Sequence, residues 1–176
     1  MLKVNNENPI EHWQFVEVEN KIVLDLGCGR WEKVEKRDKN WLTTPEYFIS
    51  KGASKVIAID IDLAEISWFL HQNFDPNKYT FLQQNITSND DIATLIDTYK
   101  PNCIKCDIET GERFLLDIDK KKFLSVEQFY IETHGDDLYQ QFLNIFNKYN
   151  YTIVEQIDLT HTSGYCKVIF AKKQNT

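Results

Sequence analysis

Apolar residues recur along this chain in two rhythms that take turns. Short unbroken runs, Ile22 to Leu24 and Val56 to Ile59, have the length of strands and are apolar on both faces, as strands of a helix-covered parallel sheet must be. Between such runs lie stretches with apolar residues on one helical face, bounded by capping residues. Thr44, Pro45 and Glu46 read as an N-cap, a first-turn proline and an early acid, and Gly52 as the stop of a first crossover helix. Asp62 caps a second helix that repeats Leu63, Ile66, Leu70 and Phe74 on one face before Asp75 and Pro76 end it. Tyr79 to Gln83 is a third strand, Asn89 to Thr98 a helix, and Cys103 to Ile108 a fourth strand after the break at Pro101. A short helix follows Gly111, Phe129 to Thr133 is the fifth strand, and Asp136 to Lys148 is a helix with Leu138, Phe142, Ile145 and Phe146 inward.

The ending breaks the rhythm. Tyr151 to Leu159 and Tyr165 to Ala171 are β-rich runs joined by His161 to Gly164, too short for a crossover and therefore a hairpin. The predicted fold class is α/β: a Rossmann-like, doubly wound sheet of seven strands, mostly parallel, with a C-terminal antiparallel hairpin. Residues 1–20 read as a leader and residues 21–176 as a single domain. The leader carries Ile10, Trp13, Phe15 and Val16, which suit packing over the site or onto a neighbouring chain, so a homo-oligomer stays open.

At 42% hydrophobic residues, with 11 Phe, 8 Tyr and 4 Trp, the 176 residues can build one substantial core. A formal charge of −7 opposes a general phosphate-backbone binder, so nucleic acid is not the expected partner. The basic stretches Lys33 to Lys39 and Lys120 to Lys122 read as solvated loop charge. No apolar run is long enough for a membrane span and no signal-peptide core is present, which predicts a cytoplasmic protein. The four cysteines, Cys28, Cys103, Cys106 and Cys166, read as small buried hydrophobes. Cys103 and Cys106 have CxxC spacing, but in a strand they point to opposite faces, and no second CxxC follows, so no metal is expected.

Candidate chemistry begins at Lys21 to Gly29 (KIVLDLGCG), where a buried strand runs into an acid and two glycines. Gly27 and Gly29 remove side chains where backbone amides approach a cofactor. A nicotinamide site would want a third glycine where Glu32 stands, and the following helix is delayed by a charged stretch holding Trp31 and Trp41. A turn without a pyrophosphate cradle suits S-adenosylmethionine, which has adenosine and an amino-acid tail but no phosphate. LDLGCG at Leu24 to Gly29, with Asp60 ending the next strand, resembles the class I S-adenosylmethionine-dependent methyltransferases. The resemblance implies that Asp25, Gly27, Cys28 and Gly29 line the methionine and ribose end. It implies also that Asp60, with Ile61 beside it, accepts the ribose hydroxyls and that Asn85 and Ile86 meet the adenine.

Further on, IKCDIETGE from Ile104 to Glu112 and YIETHG from Tyr130 to Gly135 resemble signatures of the FkbM-type methyltransferases, which mostly O-methylate sugars and other small or glycan-linked hydroxyls. Thr110 stands where that family places a glycine, and Ile61 where it commonly has Glu-Pro. Read without the family, Lys105, Asp107 and Glu109 share one face of the fourth strand, and Tyr130, Glu132 and His134 share parity in the fifth. Neighbouring strands would gather these groups at the ligand edge of the sheet. The bland account is a structural Lys105 to Glu132 ion pair; the sharp one is a catalytic group of Lys105, Asp107, Glu109 and His134 that deprotonates an acceptor hydroxyl. His12, His71 and His161 read as surface histidines, and Trp31 and Trp41 as loop anchors or a pocket wall. The sequence thus predicts an S-adenosylmethionine-dependent methyltransferase acting on a small-molecule or carbohydrate oxygen. A non-catalytic cofactor-binding module and a nucleic-acid or protein methyltransferase remain the alternatives.

Overall fold

In the computed structural model, whose described residues are 2–3, 13, 15–29, 42–161 and 164–174, strands and helices alternate as the hydrophobic rhythm requires. The elements are β1 (Leu2–Lys3), β2 (Ile22–Leu26), α1 (Thr44–Ser50), β3 (Lys55–Asp60), α2 (Leu63–Leu70), β4 (Tyr79–Gln83), α3 (Asn89–Tyr99) and β5 (Cys103–Cys106). A 3-10 helix (Gly111–Leu115), α4 (Lys120–Ser125), β6 (Gln128–His134), α5 (Asp136–Lys148), β7 (Tyr151–His161) and β8 (Gly164–Lys173) complete the chain. The sheet order is β1-β7-β8-β6-β5-β2-β3-β4, and β8 alone runs antiparallel, to both β6 and β7. All seven expected strands are present. The leader adds a two-residue eighth, Leu2–Lys3, paired with Ile157 and Asp158.

Each face of the sheet buries its own layer. On one, Leu24, Leu26, Ile57, Ile59, Ile104 and Phe129 pack against Ile92, Leu95 and Ile96 of α3 and Phe142 and Phe146 of α5. On the other, Val23, Val56, Cys103, Tyr130 and Phe170 meet Phe48 of α1, Ile66 and Phe69 of α2, and Trp13, Val16 and Val18 of the leader. The described leader residues Trp13, Val16 and Val18 therefore pack on this chain's own sheet, with Glu17 N–H bonded to the Tyr130 hydroxyl and Glu17 C=O to the Gln128 amide, while Ile10 lies outside the described residues. Cys103 and Cys106 do fall on opposite faces, and all four thiols are free and buried. Among the described residues no helix is long and apolar enough to cross a membrane.

Three local expectations are corrected. The α2 helix buries Glu65, Ile66 and Phe69, while Leu63 and Leu70 are 61% and 65% exposed. Phe69 stacks on Phe81 of β4 at 4.6 Å between ring centroids, and this aromatic contact sets which face of the helix turns inward. Lys120 to Lys122 lie on a helix, α4, whose Asp119 cap and fully buried Phe123 tie it to the core while Lys122 pairs with Asp97. The α1 cap is Thr43, one residue earlier than expected: Glu46 and Thr43 form a reciprocal capping box. That frees the Thr44 hydroxyl to donate to Asp25 at 2.6 Å.

The β2 strand ends in Gly27, whose φ is +77° and whose missing side chain leaves room for the Asp107 carbonyl: a Cβ there would lie 1.9 Å from that oxygen. Backbone strain and steric conflict coincide, each worth about 1–3 kcal/mol. Gly27→Ala is expected to lower the unfolding free energy by about 3 kcal/mol in urea titration; a loss below about 0.5 kcal/mol would show that the turn rearranges freely.

Candidate functional site

Strand order reverses between β2 and β5, because β3 and β4 build outward on one side and β6 on the other. Parallel α/β sheets open a crevice at such a point, beyond the carboxyl ends of the strands. Here the crevice is a cavity of about 570 Å³, walled at the ends of four strands: Gly27 after β2, Ile59 and Asp60 ending β3 with Ile61 after them, Gln84 to Thr87 after β4, and Asp107 to Gly111 after β5, with Arg113 and Phe114. Of the residues expected to hold a cofactor, Gly27, Asp60, Ile61, Asn85 and Ile86 line it.

The glycine turn works differently from expectation. Its amides do not reach toward a ligand, since Gly27 and Cys28 N–H both donate to the Ile59 carbonyl and Gly29 N–H donates to Asp60 Oδ2 at 2.7 Å. Gly29 lacks a side chain because a Cβ would sit 2.6 Å from that same carboxylate oxygen. Asp60 also accepts Asp62 N–H through Oδ1 at 2.9 Å. Two backbone donors thus hold the carboxylate at the cavity wall and leave lone pairs on both oxygens, since an ionised carboxylate has about four acceptor sites. Cys28 is not on the wall: it is 1% exposed in the core layer against α2, and burial drives its thiol well above the usual range.

Sequence reasoning missed Ile59, Gln84, Thr87, Ile108, Thr110, Gly111, Arg113 and Phe114 on the wall. The sequence carried a signal for part of this set, since Thr110 stands where the resembled family places a glycine and Gly111 follows it. Beyond Cys106 the chain leaves the sheet through Glu109 at φ 41° and Thr110 at φ 68°, left-handed conformations that favour glycine. A glycine-sized conformation at Thr110 marks a tight turn, so Asp107 and Ile108 do not continue the strand as expected and Glu109 stands in the turn.

Asp25 and Lys105 stand opposite each other in the β2–β5 register, and both are buried. The Lys105 ammonium is 3.2 Å from Asp25 Oδ1 and 3.7 Å from Asp107 Oδ2, donates to the Gly27 carbonyl, and lies 5.3 Å from the centre of the Trp13 ring. Burial works to strip its proton, but Asp25 and then Asp107 outweigh that, so its pKa is raised and the ammonium persists. Burial raises the Asp25 pKa, and Lys105 and Thr44 pull it back. The structural ion pair therefore exists with Asp25, not Glu132, and Asp25 supports the turn from behind the cavity. Removing one partner of a buried pair strands the other, at about 3–5 kcal/mol. Lys105→Met is expected to cost that much in chemical denaturation, and adding Asp25→Asn should restore part of it. Equal losses in the single and double variants would refute the pairing.

A second cluster lies where β6 leaves the sheet. His134 Nδ1 is 3.0 Å from Glu112 Oε1, and the same oxygen accepts His134 N–H at 2.8 Å. Its Nε2 faces Glu109 Oε2 at 3.3 Å and Glu132 Oε1 at 3.9 Å. The hydrogen bond to Glu112 raises the imidazole pKa to about 9 against the lowering by burial, with the charges of Glu112, Glu109 and Glu132 adding to it. Glu132 is raised to about 8, by burial first and then by Asp107. Burial and then Glu132, Glu109 and Asp107 push the Cys166 thiol to about 12.

At neutral pH His134 is thus an imidazolium, a proton donor and a poor base. Because its folded pKa lies above the ordinary value of about 6.5, the stability it contributes is complete below that pH and is lost as pH rises through about 9. In chelator-treated protein its ring resonances should titrate near pH 9. Glu112→Gln should move that titration toward 6.5 and flatten the stability decline; an unshifted midpoint would remove Glu112 as the cause.

His71 is exposed, as expected, with Nδ1 2.6 Å from the Ser67 carbonyl. His12, Trp31, Trp41 and the basic stretch Lys33 to Lys39 lie outside the described residues, as does the side chain of His161.

No protein-family model matches this sequence, and no curated protein does. Solved structures do. Streptococcus pneumoniae Sp1610 in complex with S-adenosyl-L-methionine superposes with a TM-score of 0.63 at 13% identity, over 95% of this chain and 72% of that one. Magnesium protoporphyrin IX methyltransferase (ChlM) from Synechocystis PCC 6803 with bound SAM gives 0.54 at 14%, over 89% of this chain and 72% of that one. The tRNA m1G37 methyltransferase of M. jannaschii gives 0.56 at 15%, over 94% and 49%. The chain has the Rossmann-like fold of S-adenosylmethionine-dependent methyltransferases. Within that fold it shares the mostly parallel sheet closed by an antiparallel C-terminal pair.

Proposed function

We propose that this protein is an S-adenosylmethionine-dependent methyltransferase that transfers a methyl group to an oxygen of a small molecule or carbohydrate. The observation that carries the reading is the cavity at the strand-order reversal, whose lining includes Asp60, Ile61, Asn85 and Ile86 from the ends of β3 and β4. Asp60, steadied by Gly29 and Asp62, keeps acceptor capacity on both oxygens for two neighbouring hydroxyls. Asn85 and Ile86 offer an amide edge and an apolar face for a heterocycle. S-adenosylmethionine supplies an electrophilic methyl on a sulfonium; the protein's part is to align the acceptor and remove its proton.

For that part, Asp107, Glu109 and His134 supply the acceptor edge. Asp107 and Glu109 line the cavity, and Glu109 bridges it to His134. The carboxylates are the fitting bases, and the imidazolium orients them and donates. Lys105 is a positioning residue that acts through the Gly27 carbonyl and Asp107. The FkbM-like reading, and with it an oxygen acceptor, rests on IKCDIETGE and YIETHG, whose acids and histidine converge here.

A nucleic-acid acceptor is the second reading. The M. jannaschii neighbour is a tRNA methyltransferase, so net acidity alone does not set nucleic acid aside. Such binding would weaken steeply with salt, whereas binding of a neutral sugar would not. A cofactor-binding module without catalysis would retain the cofactor and release no S-adenosylhomocysteine with any acceptor.

Calorimetric titration should show saturable binding of S-adenosylmethionine and S-adenosylhomocysteine and none of NADH. Asp60→Ala is expected to weaken both at least tenfold, about 1.4 kcal/mol. A folded protein that binds neither would overturn the proposal.

A further inference from the structure

Glu132 and His134 stand two residues apart on β6 and share a face, and Cys166 of β8 pairs directly with His134 across the sheet. One carboxylate oxygen of Glu132, one ring nitrogen of His134 and Sγ of Cys166 lie within 4.8 Å of one another. The ring is not free to turn. Nδ1 is tied to Glu112, which is fully buried and also grips the His134 backbone, so Nε2 is left facing Glu132 and Glu109. A carboxylate behind one ring nitrogen is the arrangement that orients histidines whose other nitrogen binds a metal.

We propose that Glu132, His134 and Cys166 form a binding site for a divalent cation of the zinc class, with its open side toward Glu109. The donor set decides the class: a sulfur, an imidazole nitrogen and carboxylate oxygens suit Zn²⁺ or Co²⁺, whereas Mg²⁺ and Ca²⁺ take oxygen alone. Charge points the same way. Glu109, Glu112 and Glu132 gather about one imidazole and Asp107 adds its charge at Glu132, while the neighbouring ammonium of Lys105 is engaged by Asp25, Asp107 and Gly27. A dication would balance the thiolate and a carboxylate. Entry is open on the Glu109 side, where that side chain is 85% exposed. The sequence expectation of no metal considered Cys103 and Cys106, which the sheet separates, and had no means of bringing Cys166 beside His134. The site stands independently of the methyl-transfer reading, though Glu109 places it beside the cavity.

The test is titration of Co²⁺ into the chelator-treated full chain. One equivalent should produce visible d–d bands and a near-ultraviolet sulfur-to-cobalt charge-transfer band. Cys166→Ser should abolish the charge-transfer band, and Glu112→Gln should weaken binding about 10–100-fold. Absence of that band in folded wild-type protein, or its persistence in folded Cys166→Ser, overturns the site. Should Cys166→Ser not fold, X-ray absorption of the Zn²⁺-loaded wild type decides: one sulfur at about 2.3 Å and nitrogen at about 2.0–2.1 Å are expected, and a shell without sulfur overturns it. Calorimetry with S-adenosylmethionine on the same sample separates the two ideas. A cobalt band without cofactor binding sinks the methyltransferase reading alone, and cofactor binding without the band sinks the metal site alone.

Discussion

The ammonium of Lys105, buried between β2 and β5, is the contact on which the site depends. It touches the Asp25 carboxylate, the Gly27 carbonyl and Asp107, so a single charge ties the end of one strand to the turn that follows it and to the exit of its neighbour. Burying two ions costs more than their attraction returns unless other bonds satisfy them. Thr44 supplies one such bond, and it can do so because Thr43 takes over the helix cap. The Trp13 ring lies over the ammonium from the leader, adding a cation–π contact and shutting out water. The pair thus sets where Gly27 and Asp107 sit at the mouth of the cavity, and stability is spent on that placement.

The glycine turn is held by the same logic. Its amides are saturated by Ile59 and Asp60, so the turn is stiff before any ligand arrives. Preorganisation of this kind lowers the ordering cost of binding. It also moves the recognition burden from amide dipoles to side chains, chiefly the Asp60 carboxylate, as fits a ligand that carries hydroxyls and no pyrophosphate.

Most of the architecture was legible because burial on both faces leaves a continuous apolar signature at Ile22 to Leu24 and Val56 to Ile59, and because Gly52, Asp62 and Pro101 punctuate it. The failures have a common cause. Leu63 and Leu70 fit a helical period as well as Ile66 and Phe69 do, and the choice between faces was made by Phe81, a residue on another element. The helix at Lys120 was hidden because its buried face comes down to Phe123, which meets Phe129, Phe146 and Tyr151 from three other elements. At the site, Asp60, Asn85 and Glu109 could be placed from strand ends. The partner of Lys105 could not, since parity admits Asp25 and Glu132 alike and the register chooses Asp25.

The same limit governs the acceptor edge. His134 and Glu132 are visible as a pair from their spacing, but Glu112 arrives from the 3-10 helix and Cys166 from a strand that runs the other way. Each newcomer changes the chemistry. Glu112, with the charges of Glu109 and Glu132 adding to it, raises the imidazole pKa to about 9 and fixes which nitrogen faces outward, which disqualifies His134 as the resting base. Proton removal at this edge then falls to carboxylates whose charge must be balanced by something positive. In the protein alone His134 supplies that charge to Glu109 and Glu132 and Lys105 supplies it to Asp107, and any cation or cationic acceptor entering here competes with them for the same carboxylates.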